Sequence, residues 1–150
     1  MSLLTEIVAA VDPTLAAYAV DEPGPGRFED APLERDRAFV LEVVHEGYQM
    51  HYGEPRAFAG MDSDMRLLAG DALYALGLAR LAESGDLEAV RELADLIALC
   101  AWAHADKRPE VIDELWRASA EALSPKGGPG ARAAVQERLV TGATGPAQSV

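Results

Sequence analysis

The chain has one cysteine, Cys100, so it cannot form an internal disulfide. Strand signals are nearly absent, because β-branched residues are scattered rather than gathered into alternating runs. Positive charge is also scarce. Thirteen Lys and Arg stand against 25 Asp and Glu, giving a formal charge of −12. That deficit argues against nucleic acid and anionic membrane surfaces, both of which are held by basic patches. No uninterrupted apolar run reaches the roughly 20 residues of a membrane span. The opening MSLLTEIVAAVDP has no Lys or Arg and carries Glu6 inside its apolar run, a poor match to a secretory signal. A cytoplasmic protein without a membrane span is the expectation.

What the chain has is helix-forming sequence. Its 150 residues are 49% hydrophobic and rich in Ala, Leu, Glu and Arg, enough for a domain with a real core. Ser2–Val20 reads as helix interrupted at Pro13, with Asp12-Pro13 starting a second short helix. DEPGPGRFEDAP, residues 21–32, holds two Pro-Gly pairs and reads as a loop or linker. A helix is predicted from near Pro32 to Tyr52, with Phe39, Val40, Val43, Val44, Gly47, Met50 and His51 on its apolar side. Glu42, His45, Glu46 and Gln49 lie on the opposite side, which periodicity assigns to solvent.

The next helix, capped by Asp62 or Ser63, contains LLAGDALYALGLARLA (Leu67–Ala82), apolar almost all round, and reads as the central helix of a bundle. Its Gly70 and Gly77 share a face, where close approach of a neighbouring helix would offset their cost of about 1 kcal/mol each. Helix Leu87–Asp106 should follow a Gly85 stop and an Asp86 cap, and Pro109 should open a helix to Leu123. The expectation is one helical domain, residues 1–123, in an all-α bundle of about five to six helices. A flexible, disordered tail is expected over 124–150, with one short helix around Ala131–Leu139.

Two segments carry a resemblance. VHEGYQMHYGEP holds His45 and His51 in His-x5-His spacing, and Leu68-Ala69-Gly70-Asp71 opens the following apolar helix. Together they resemble the trans-isoprenyl diphosphate synthase (polyprenyl synthetase) family over about 60 residues, Leu41 to Cys100. The resemblance implies an isoprenoid-synthase-like helical bundle. It also exposes departures. Tyr52 and Gly53 stand where the family has the first two aspartates of its first aspartate-rich motif, and Ala101-Trp102-Ala103-His104 replaces its Glu-Gly-Gln-like element. The aspartates of that family hold Mg²⁺ against a diphosphate, and Tyr52 and Gly53 offer no hard oxygen ligands for it. The expectation is therefore a non-catalytic relative, similar to the small subunit of a two-component synthase, with no cofactor.

The candidate ligand-binding residues are His45, Tyr48, His51, Tyr52 and Asp71. Asp71, expected on a buried face, needs a partner such as His51 or His104. No metal site is expected, since His45 and His51, six residues apart, point 240° apart on a helix. Asp62 and Asp64 are explained as caps. Cys100 is expected to be an inert buried thiol. Three functions follow: helix–helix association as a homo-oligomer or with a partner subunit, binding of an apolar or isoprenoid small molecule in the bundle interior, and an enzyme pairing Asp71 with a histidine.

Overall fold

The computed structural model describes residues 1–144, with side chains to 139. The fold is all-α, as expected: α1 (Leu3–Ala10), α2 (Pro13–Ala16), α3 (Arg35–Tyr52), α4 (Ser63–Glu83), α5 (Leu87–Ala105), α6 (Ile112–Leu123) and α7 (Ala131–Thr144), with one 3₁₀ turn at Pro109–Val111. The only strand-like pairing among the described residues is a single antiparallel bridge between Ala19 and Phe58. No helix among them is long and apolar enough to cross a membrane. The chain divides into two compact units, Met1–Val90 and Arg91 onward.

Local chemistry sets the helix ends in the first unit. Ser2 caps α1 by accepting the Thr5 N–H, and Asp12 caps α2 by accepting the Thr14 N–H at 2.8 Å, with Pro13 in the first turn. Asp62 caps α4 through the Met65 N–H at 2.8 Å. Asp86 accepts the Ala89 N–H at the start of α5 and is clamped by Arg37, whose Nε and Nη2 lie 2.8 and 2.9 Å from its two oxygens. Residues 21–32 form the expected loop, with Phe28 folded into the core.

Within the first unit the central helix is α3 and not α4, which corrects the reading from hydrophobicity. Every residue from 38 to 48 is buried, including Glu42 and Glu46, both fully, and His45. The supposed solvent face of α3 is covered by the loop residues that bind its carboxylates. Helix α4 packs on α3 through Ala69, Gly70, Leu73, Gly77 and Leu81, and leaves its other side open.

In the second unit, α6 packs against α7, and Glu92 ties three segments together. Glu92 Oε2 accepts the Ser119 hydroxyl at 2.7 Å and the Ala131 N–H at 2.9 Å, fixing the start of α7. Arg132 and Arg138 of α7 pair with Asp95 and Glu114, each at 2.7 Å. So part of the segment read as a flexible tail is helix, longer than the one expected at Ala131–Leu139, with Ala131 and Val135 buried. Residues 145–150 of that segment lie outside the described residues.

Candidate functional site

Helices α3 and α4 meet at glycines. A Cβ on Gly47 would lie 2.7 Å from the Tyr74 ring and 3.0 Å from the Gly70 carbonyl oxygen. One on Gly70 would lie 2.6 Å from His51 Nε2 and 3.1 Å from the Gly47 oxygen. This close approach brings His51 of α3 to Asp71 of α4, Nε2 to Oδ1 at 3.1 Å, and stacks His51 on Tyr74 with ring centres 5.3 Å apart. Asp71 thus has the histidine partner expected for it. It is not buried, however: its side chain is 75% exposed.

The five candidate residues form a row. His45 and Tyr48 have ring centres 6.0 Å apart, Tyr48 and Tyr52 5.2 Å, and Tyr52 and His51 5.9 Å, and His51 then reaches Asp71. The row runs outward from buried His45, which meets Phe28 edge-on, to exposed Tyr52 and Asp71. It does not enclose one chamber. Only His51 and Tyr52 of the five line a cleft of about 340 Å³, which they share with Met50, Ser63, Arg66 and Leu67. A second cleft, of about 170 Å³, lies between Met50, Phe58, Met61 and Arg66. Arg66 stands between the two, donating through Nη2 to the carbonyls of Gln49 and Gly53 at the C-terminal end of α3, where a cation is favoured.

At the buried end of the row, α3 presents Glu42, His45 and Glu46. Glu42 Oε1 accepts the Phe28 N–H at 2.8 Å, and the Glu46 carboxylate accepts those of Arg56 and Ala57 at 2.8 and 3.1 Å. Burial pushes both carboxyls above the ordinary glutamate range, against the pull of these N–H groups. Burial, with Arg27 and Arg56 nearby, lowers His45 to about 3, so its imidazole is neutral. No group of three acidic, histidine or cysteine side chains among the described residues could hold a metal ion.

Sequence reasoning missed the surface beside this row. On α4, Leu68, Ala72, Ala75, Ala79 and Ala82 are all exposed. They recur at spacings of four and three, so they fall on one stripe. Leu68 is 67% exposed and Leu67, next to the stripe, 51%. The heptad spacing was legible, but all-round apolarity pointed to burial instead.

No family model, curated protein or solved structure matches this chain.

Proposed function

We propose that this protein works by helix–helix association, with the outward stripe of α4 as its contact surface, and that it is a non-catalytic relative of the isoprenyl diphosphate synthases. The exposure of Leu67 and Leu68 on a helix with heptad-spaced Ala72, Ala75 and Ala79 carries the association reading. Large apolar side chains left together in water are characteristic of surfaces that bind. Either a second copy or a partner subunit satisfies this reading. Kinship with the synthases rests on His45, His51 and Leu68–Asp71, and the lack of catalysis on Tyr52 and Gly53 in place of aspartates.

The test combines light scattering over a concentration series with amide chemical-shift mapping during titration with a neutral Leu/Gln amphipathic helix. Association that perturbs Leu67–Ala79 and disappears in Leu68→Gln/Ala75→Gln supports the reading. A monomer at high micromolar concentration whose α4 amides ignore the added helix overturns it.

A second reading, an apolar small-molecule binder, is favoured by the two adjoining clefts that share Met50 and Arg66. Shifts confined to residues 50–67 on titration with a short prenyl alcohol would support it, and none at its solubility limit would end it.

A further inference from the structure

On an α-helix each residue turns 100°, which places Leu68, Ala72, Ala75, Ala79 and Ala82 within about 40° of one line. The charged residues within about 60° of that line are Asp64, Asp71 and Glu83, all exposed and all acidic. The two arginines of α4 lie on the far side and are engaged. Arg80 sits over the Phe39 ring, 4.0 Å from its centre, and Arg66 holds the end of α3. The stripe is therefore apolar along its middle, with Asp64 and Asp71 on one edge and Glu83 at the end of the other. Beside it, on the Asp71 side, the cleft of about 340 Å³ at Tyr52 and Leu67 has room for one bulky side chain.

We infer that the occupant of this surface is a basic amphipathic helix of a partner protein, with an apolar seam on Leu68–Ala82, a bulky apolar residue in the Tyr52–Leu67 cleft, and Lys or Arg facing Asp64, Asp71 and Glu83. This inference rests on the association reading above and specifies its partner. A second copy fits poorly, because it would bring the same acidic edges and another formal charge of −12. A basic helix meets each acidic edge with an opposite charge and inserts its anchor into a preformed cleft. Small residues along the middle of the stripe let the incoming backbone approach closely.

The test uses three synthetic amphipathic helices matched to the 21 residues of α4, with identical leucine seams and flanks of Lys, Gln or Glu. Each is titrated into the full chain and followed by amide shifts and fluorescence anisotropy. The Lys helix should bind about tenfold or more tightly than the Gln helix and the Glu helix weakest, with shifts on Leu67–Ala82 and Tyr52. Raising salt from about 0.05 to about 0.3 M should erase most of that preference. Leu68→Gln/Ala75→Gln, which keeps every charge, should abolish binding of the Lys helix, and Asp64→Asn/Asp71→Asn should level the Lys and Gln helices.

Equal binding of all three helices on α4 overturns the basic partner and leaves the association reading standing. So does a dimer of the chain that is lost in Leu68→Gln/Ala75→Gln. Lys-helix binding that survives Leu68→Gln/Ala75→Gln is general attraction to an acidic protein and overturns the inference. A monomer that none of the helices perturbs on α4 overturns both readings.

Discussion

Gly47 and Gly70 face each other across the α3–α4 contact so closely that a methyl on either would sit 3.0 or 3.1 Å from the other's carbonyl oxygen. Backbone meets backbone there, so neither side can yield by rotating a side chain. Gly70→Ala is expected to cost about 1–3 kcal/mol in urea unfolding, the usual range for overpacking, despite the better helix propensity of alanine. It should also displace His51 from Asp71. At Gly77 the nearest atoms are the Val44 and Val40 methyls at 3.1 and 3.3 Å, and these can shift. Gly77→Ala should therefore cost clearly less. Equal losses for the two variants would contradict the rigid contact at Gly70.

Glu46 serves as a buried acceptor for two loop N–H groups. Glu46→Ala leaves the buried Ala57 N–H without a partner, which costs about 1–3 kcal/mol, while the N–H of exposed Arg56 can turn to water at smaller cost. Glu46→Gln keeps an acceptor oxygen and removes a buried charge, so its loss should be much smaller. Denaturant midpoints of the two variants check this. If glutamine proves as damaging as alanine, the charge matters more than the acceptor.

His45 makes stability depend on pH. Its ordinary value of 6.5 is lowered to about 3 in the fold, mainly by burial. Its contribution is therefore fully present above pH 6.5 and is lost as pH falls towards 3, because the unfolded chain takes up the proton first. The raised Glu42 and Glu46 work in the opposite sense: their contribution is present below 4.5 and lost as pH rises through their folded values. The difference in unfolding free energy between the native chain and His45→Gln isolates the histidine. It should shift against the native chain by about 1.4 kcal/mol per pH unit below 6.5. A flat difference between pH 7 and 4.5 would mean that His45 is protonated in the fold.

Cys100 is buried, and burial pushes its thiol up to about 12. A maleimide at pH 7.5 should leave it unmodified in the native chain over hours and label it within minutes in denaturant. Fast native labelling would show that the unit around Cys100 opens readily.

Much of the fold was legible because helix punctuation is local. Asp12-Pro13, Asp62, Gly85-Asp86 and Pro109 each mark a boundary through chemistry confined to a few residues. The order of the layers was not legible. Periodicity takes polar residues as wet, yet Glu42, His45 and Glu46 are dry, since loop N–H groups from Phe28, Arg56 and Ala57 take the place of water. It takes leucines and alanines as buried, yet Leu68 and Ala75 are open. Of the candidate site, His51 was one of two histidines expected beside Asp71, but the expected reason, a buried carboxylate in need of a partner, does not hold, since Asp71 is exposed. The edge chemistry of α4 became visible only once its outward side was known.

Glu42 and Glu46 stand one helical turn apart on α3, about 6 Å along its axis. Each grips a different loop, one at Phe28 and the other at Arg56 and Ala57. The turn thus acts as a ruler between segments nearly thirty residues apart. These loop amides should exchange with solvent on the clock of the central helix rather than on that of a surface turn. The two loops have in effect been lent the lifetime of the core, and they will come loose together when α3 does.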